Sequence, residues 1–103
     1  MSSALEQIDY VTVAGEKKSR RLRIYSLSTC AFCKQAMNYL EENGFEFQYI
    51  HLDQIDFDLK REAKQELKST YENIPVFPIL TIDETDAISG FVEQKWAAKL
   101  GVE

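Results

Sequence analysis

The sequence has no long apolar run and few of the residues that bind metals or close disulfides. Its 103 residues include two cysteines, one histidine, two prolines and one tryptophan. No stretch approaches the roughly 20 apolar residues that a membrane-spanning helix needs. The first residues also have no basic region followed by an apolar stretch, the pattern typical of a secretory signal. We therefore expect no membrane partner and a cytoplasmic location.

Positive charge is also scarce. Asp and Glu number 17 against 12 Lys and Arg, which gives a net charge of -5. Domains that bind nucleic acids carry a basic patch, so no nucleic-acid partner is expected. A single short basic cluster stands out, and we interpret it as a solvated loop and strand edge; its members are Lys17, Lys18, Arg20, Arg21 and Arg23.

The length suits one domain with a modest core, and the hydrophobic periodicity predicts an α/β fold. The predicted order is strand, helix, strand, helix, strand, strand, helix, preceded by one further strand. Strands on either side of the first helix should be parallel through a right-handed crossover, whereas the last two should form an antiparallel hairpin. We predict a mixed sheet of four strands, or five with the N-terminal one, with helices on both faces.

The N-terminal segment carries the predicted additional strand. The stretch "IDYVTVAG" is rich in β-branched and aromatic residues and ends at Gly15. We expect it to form a hairpin with the next strand, "RLRIYSL". Residues 1–20 are thus predicted to be an N-terminal extension, and residues 21–103 the domain itself.

Both cysteines lie in "IYSLSTCAFCKQA", residues 24–36, where a β-like run changes to a helical period. A helix N-terminus has unpaired N–H groups and a partial positive charge, which favour the thiolate of Cys30. Cys33 lies one turn later and should be more buried. This asymmetry favours thiol–disulfide exchange, in which Cys30 attacks a disulfide and Cys33 resolves the mixed disulfide.

Other interpretations of the pair remain open. Two cysteines can simply be small core residues, and the fold can be a redox-inert adaptor that binds proteins. A zinc site needs about four ligands, and His51 is the only histidine, so one chain cannot complete a Cys₂His₂ set. A dimer that shares an iron–sulfur cluster or metal through Cys30 is the main alternative.

A second motif is "NIPVFPILTID". Proline cannot donate to a sheet ladder, so Pro78 must open its strand or lie at an edge. If the Phe77–Pro78 bond is cis, the Phe77 backbone forms an unpaired edge that can bind an extended peptide. The sequence leaves the isomer open.

Three motifs in order resemble the glutaredoxins and glutaredoxin-like redoxins of the thioredoxin fold. They are "IYSLSTCAFCKQAMNYLEENGFEF…LD", "PVFPILTID" and "ISGF", and the resemblance covers roughly Leu22 to Leu100. It implies a thioredoxin-like fold, Cys30 as the exposed nucleophile, Cys33 as the resolving thiol and Pro78 as a cis-proline. The residues expected to contact substrate are Phe32, Phe77, Pro78, Gly90 and Phe91.

Several residues depart from the family pattern. Leu27 replaces a lysine, Ala31 and Phe32 replace a proline and a tyrosine, and Phe91 and Val92 replace the acidic pair after Gly90. In glutathione-binding members, the turn at that glycine holds the γ-glutamyl carboxylate. The departures remove polar contacts with glutathione but leave the dithiol pair intact.

We therefore predict a monomeric dithiol oxidoreductase that reduces protein or mixed disulfides. No bound cofactor is required. The reductant is expected to be glutathione, as a co-substrate, or thioredoxin reductase, since the aromatic residue in "SGF" resembles redoxins that take electrons from that enzyme.

Overall fold

The computed structural model describes residues 4–71, 76–83 and 85–101. Two 3₁₀ turns lie at Leu5–Gln7 and Leu52–Gln54. The strands are β1 (Val11–Val13), β2 (Leu22–Ser26), β3 (Phe47–His51), β4 (Ile79–Ile82) and β5 (Asp86–Ser89). The helices are α1 (Ala31–Glu42), α2 (Phe57–Thr70) and α3 (Glu93–Leu100).

The strands form one sheet in the order β1-β3-β2-β4-β5. β2 and β3 are parallel, because α1 connects them as a crossover, and the other neighbouring strands are antiparallel. The predicted mixed sheet is therefore confirmed, with the N-terminal strand as its fifth member.

The predicted hairpin between the first two strands is wrong. β1 pairs with β3 instead, with Val11 opposite Tyr49 and Val13 opposite Phe47. β2 has β3 on one side and β4 on the other, so β1 cannot pair with β2 and lies instead on the outer edge of β3. The domain boundary at residue 20 stays a prediction.

Two hydrophobic clusters cover the two faces of the sheet, because successive residues of β2 point to opposite sides. On the first face, Ile24 packs with residues of α1 and α3, including Leu40 and Trp96, which are fully buried. On the second face, Tyr25 packs with Ala63 and other residues of α2 and with the Leu5–Gln7 turn. Helices thus flank both faces, as predicted.

The helix ends are set by local side chains and glycine. The Asp56 carboxylate accepts a hydrogen bond from the Leu59 N–H at 3.2 Å and caps α2. Gly101 ends α3 with a left-handed φ of 77°. Within the described ranges, no helix has the length and apolar character needed to cross a membrane.

The prediction that Arg23 belongs to a solvated basic cluster is wrong. It lies on β2, the middle strand, and is only 9% exposed. Its Nε donates to Gln48 Oε1 at 3.1 Å, and its guanidinium lies 4.5 Å from the centroid of the Tyr10 ring. The N-terminal segment that supplies Tyr10 is what covers this side chain, a contact that the local sequence pattern does not reveal.

Candidate active site

The sheet brings the two sequence motifs together at one end. Tyr25 on β2 is opposite Ile79 on β4, so the register places the next residues, Ser26 and Pro78, side by side. On the other side of β4, Ile79 is opposite Ser89. The cysteine loop, the proline segment and the turn after β5 therefore meet at the same edge.

Cys30 is the N-cap of α1 and is partly exposed. Its Sγ accepts a hydrogen bond from the Cys33 backbone N–H at 3.2 Å. The same N–H is positioned to donate to the sulfur of Cys30 during exchange. The predicted position of Cys30 at the helix start is where a nucleophilic thiol is favoured.

Cys33 has very different surroundings, although it is only one turn away. Its side chain is fully buried. Burial, and secondly the hydrogen bond with Cys30, raise the pKa of the Cys33 thiol to about 12, against an opposing contribution from the Leu27 backbone hydrogen bond. Both thiols are free in the structure. The pair is therefore asymmetric, with one accessible sulfur and one that stays protonated near neutral pH.

A carboxylate from the neighbouring strand fastens the loop that leads to Cys30. Asp53 follows β3 and accepts hydrogen bonds from both the backbone N–H and the hydroxyl of Ser28, the former at 2.9 Å. These bonds hold the pKa of the Asp53 carboxyl below its usual value, and the bond from the Ser28 hydroxyl has the larger effect. Asp53 is not among the residues that the sequence predicts for the site. The available signal was that parallel β2 and β3 end at the same sheet edge.

The Phe77–Pro78 peptide bond is cis. Within the described part of the chain, neither the N–H nor the C=O of Phe77 has a hydrogen-bond partner. On the other side of the residue, Lys64 of α2 places its Nζ 5.7 Å from the centroid of the Phe77 ring. The backbone of Phe77 is thus a free edge beside the cysteine loop. Pro75, the other proline of this motif, lies outside the described residues.

The neighbouring residues of this segment are held by β5. Ser89 Oγ accepts a hydrogen bond from the Val76 N–H at 3.0 Å and donates to the Val76 carbonyl oxygen. The Gly90 N–H donates to the Pro78 carbonyl oxygen at 2.8 Å, and Gly90 has a left-handed φ of 74°. A Cβ on Gly90 would also lie 3.1 Å from Val76 Cγ2.

The two phenylalanines predicted to contact substrate differ in exposure. Phe32 is 59% exposed and lies between the two cysteines in sequence. Phe91 is partly buried, and its ring packs against Tyr39 and edge-on against Trp96, with centroid distances of 5.7 and 5.0 Å. The structure gives Phe91 a packing role, and its contact with substrate stays a prediction.

His51, the only histidine, lies at the end of β3 and is partly buried. Its Nδ1 is 2.6 Å from Ser26 Oγ, a buried hydroxyl on β2. No group of three or more His, Cys, Asp or Glu that could hold a metal occurs among the described residues. A cluster shared between two Cys30 thiols would take its ligands from two chains.

A family model described as Glutaredoxin matches residues 22–86, more than half of the chain. No match was found among curated protein sequences.

Solved structures give similar results. The chain is similar to the glutaredoxin from Methanosarcina mazei Go1, with 28% identity, a TM-score of 0.76, and 89% of this chain and 87% of that chain covered. It is also similar to methanoredoxin from Methanosarcina acetivorans, with 27% identity, a TM-score of 0.72, and 84% and 90% covered. Glutaredoxin grx-1 from Archaeoglobus fulgidus, at 22% identity and a TM-score of 0.68 over 77% and 84% of the chains, shares the fold.

These likenesses confirm the thioredoxin-like fold, and Cys30 and Cys33 have the C-x-x-C spacing expected from the resemblance. The match to the family model covers the cysteine motif, the proline segment and the strand that follows it. The chain therefore belongs to the glutaredoxin family.

Proposed function

We propose that this chain is a dithiol oxidoreductase that reduces protein or mixed disulfides through Cys30 and Cys33. The observation that carries the proposal is the asymmetry of the pair. The Cys30 sulfur is accessible at a helix N-terminus, whereas the Cys33 sulfur is fully buried with a pKa raised to about 12. An attacking thiol must be accessible and ionised, and a resolving thiol must wait nearby in protonated form.

The reaction has two exchange steps. The Cys30 thiolate attacks one sulfur of a substrate disulfide, so that a mixed disulfide forms and the other substrate sulfur leaves as a thiolate that takes up a proton. Cys33 then loses its proton and attacks the Cys30 sulfur. This step forms the Cys30–Cys33 disulfide and releases the second substrate thiol. Two electrons have passed to the substrate, and a reductant must return them.

The proposed partners of the chain are disulfide-bearing proteins in the cytoplasm. In this proposal the chain acts as a monomer and needs no bound cofactor. The reductant is glutathione or thioredoxin reductase. Leu27 in place of the family lysine reduces the polar contacts available to glutathione. The free Phe77 backbone edge, by contrast, suits an extended polypeptide.

The test is reduction of insulin and of a mixed-disulfide peptide by the wild-type chain, Cys30→Ser and Cys33→Ser, with dithiothreitol as reductant. We expect Cys30→Ser to lose all activity above the uncatalysed rate, because no other accessible thiol is available. Cys33→Ser should accumulate a covalent mixed disulfide at Cys30, visible by mass spectrometry. Equal activity of Cys30→Ser and wild type would refute the proposal.

The natural reductant is identified by replacing dithiothreitol with two enzyme-coupled systems. In one, glutathione and glutathione reductase regenerate the chain, and in the other thioredoxin reductase does so, each followed by NADPH oxidation. Cys30→Ser is the blank in both systems. Because the glutathione contacts are depleted, we expect slower turnover with glutathione than with thioredoxin reductase.

A further inference from the structure

Helix α2 carries its charges in two separate rows. Lys60, Lys64 and Lys68 follow one another at intervals of four residues, and so do Asp58, Glu62 and Glu66. Residues four apart lie on the same side of a helix, one turn above the other, so each set forms a row of like charge. The residues of α2 that are buried against the sheet, Ala63 and Leu67, lie between the two rows.

Within α2, none of the three lysines has an acidic residue three or four positions away, the spacing at which opposite charges usually pair. The one intrahelical ion pair of α2 recorded among the described residues, Asp58 with Arg61, uses none of the three lysines. Within the same ranges, none of these lysines forms an ion pair with any other element. Like charges four apart destabilise a helix, so the lysine row costs stability that no ion pair among the described residues compensates.

One recorded contact in each row shows what that row borders. In the acidic row, Glu66 Oε1 accepts a hydrogen bond from the Ala4 N–H of the N-terminal segment at 3.0 Å. In the lysine row, Lys64 Nζ lies 5.7 Å from the centroid of the Phe77 ring. Phe77 is the residue whose backbone edge is free, and its place beside Leu27 follows from the β2–β4 register.

We propose that the lysine row, Lys60, Lys64 and Lys68, is a docking track for an acidic segment of the polypeptide substrate. This inference rests on the proposed function, because the segment is the chain that carries the disulfide to Cys30. The segment pairs with the Phe77 backbone, and its carboxylates meet the lysines. Successive lysines are about 6 Å apart along the helix. An extended chain lying along the row therefore meets one lysine with about every second residue.

The positive charge of the lysine row contrasts with the net negative charge of the whole chain. The chain has a net charge of -5 and would repel an acidic polypeptide in general. A lysine row that borders Phe77 at Lys64 reverses the sign of that interaction where the substrate chain pairs with the Phe77 backbone. Substrates with acidic residues close to the reactive cysteine are therefore selected over neutral ones.

The test compares two peptides, each linked through its cysteine to 2-mercaptoethanol. One carries aspartates at alternate positions beside the cysteine, and the other carries asparagines there. For the wild-type chain we expect kcat/KM to favour the acidic peptide by about 10-fold at low salt. The preference should shrink as salt is added, because the screening length falls from about 30 Å at 0.01 M to about 3 Å at 1 M.

The variant K60Q/K64Q/K68Q should lose this preference, with a ratio near one. The matched control, K17Q/K18Q/K99Q, changes the net charge equally at lysines that lie away from α2, and it should keep the preference. Equal kcat/KM for both peptides in the wild-type chain, or equal loss in the two triple variants, would overturn the proposal.

Two further measurements separate this inference from the proposed function and from glutathione binding. Anisotropy with fluorescent peptides whose cysteine is replaced by serine measures docking without exchange. Acidic-peptide binding that is lost in K60Q/K64Q/K68Q supports the docking track even if the chain reduces no disulfide. A third substrate links the neutral peptide to glutathione. If the lysine variant slows only that substrate, the row binds the glutathione carboxylate and the polypeptide proposal is wrong.

Discussion

At the scale of single residues, the chemistry depends on two sulfur atoms that lie one helical turn apart. Cys30 occupies the last non-helical position before α1, where the first N–H groups of the helix are unsatisfied. Cys33 points into the protein, where water does not reach it. The same side-chain type therefore acquires two reactivities, because its position in the helix decides its contact with solvent and with hydrogen-bond donors.

This difference predicts selective alkylation. In the reduced chain at pH 8, iodoacetamide should modify Cys30 and leave Cys33 unmodified, because Cys33 is buried and its pKa is raised to about 12. Peptide mapping by mass spectrometry measures the two sites separately. In urea both cysteines should react, which serves as the control. Modification of Cys33 in the folded chain as fast as Cys30 would contradict the described burial.

The positions of the two thiols were predictable from the sequence, because the change from a strand to a helical pattern at Thr29 is local. The buried state of Arg23 was not, because it depends on contact with Tyr10, 13 positions earlier, which the local pattern around Arg23 does not reveal. The cis isomer of the Phe77–Pro78 bond followed only from the family resemblance, since the local pattern left it open.

At the scale of elements, the loop between β2 and α1 is held by the end of a different strand. The contact between Ser28 and Asp53 joins residues 25 positions apart and has both a backbone and a side-chain component. A helix start that must present a thiol at a fixed place gains from such a contact, because the loop has no strand partner of its own.

We expect Asp53→Ala to slow the exchange reaction severalfold while the chain remains folded, because the Ser28 loop then positions Cys30 less well. Single-turnover reduction of a mixed disulfide measures the effect, and circular dichroism reports the fold. Asp83→Ala is the matched control. Asp83 accepts a comparable hydrogen bond, from the Arg21 N–H at 2.8 Å, at the opposite end of β2. Equal effects of the two variants would show that Asp53 has only a general structural role.

The hydrophobic pattern of the sequence predicts where most helices and strands lie, but not how they pair and pack. The helical and strand periods located β2, α1, β3 and α2, since each has its own repeating apolar positions. The partner of β1 could not be found in this way, because pairing depends on which sheet edge is left free. The lysine row is visible as a four-residue repeat, but its position beside Phe77 follows only from the packing of α2 on the sheet.

At the scale of the whole molecule, two cores share one sheet and both enclose ionisable groups in their neutral forms. Burial raises the pKa of Tyr10 and Tyr25 under the N-terminal segment, and that of Tyr39 between α1 and α3. The hydroxyl of Tyr39 is buried without a hydrogen-bond partner among the described residues. Cys33 adds a fourth such group.

These groups predict that stability decreases at alkaline pH. The unfolded chain releases protons from cysteine near pH 9 and from tyrosine near pH 10, whereas the folded chain keeps them to higher pH. The unfolded state then binds fewer protons, so the free energy of unfolding must fall as pH rises. Urea unfolding at pH 8, 9, 10 and 11 measures the fall, and a flat profile would contradict the described burial.

Tyr39→Phe provides the comparison for this measurement. It removes a hydroxyl that has no hydrogen-bond partner among the described residues, so stability at pH 7 should be unchanged or higher. Above pH 10 the decline should be shallower than in the wild-type chain, because one group that must ionise on unfolding has been removed.

The burial of Cys33 also has a consequence for oxidative damage. Peroxides convert an accessible thiolate to sulfenic acid, and a second oxidation gives sulfinic acid, which ordinary thiols cannot reverse. A thiol one turn away that no oxidant can reach remains available to condense with the sulfenic acid of Cys30 and expel water. The same burial that keeps Cys33 unreactive toward solvent would thereby stop oxidation of Cys30 at a disulfide, a state from which reductants recover the chain.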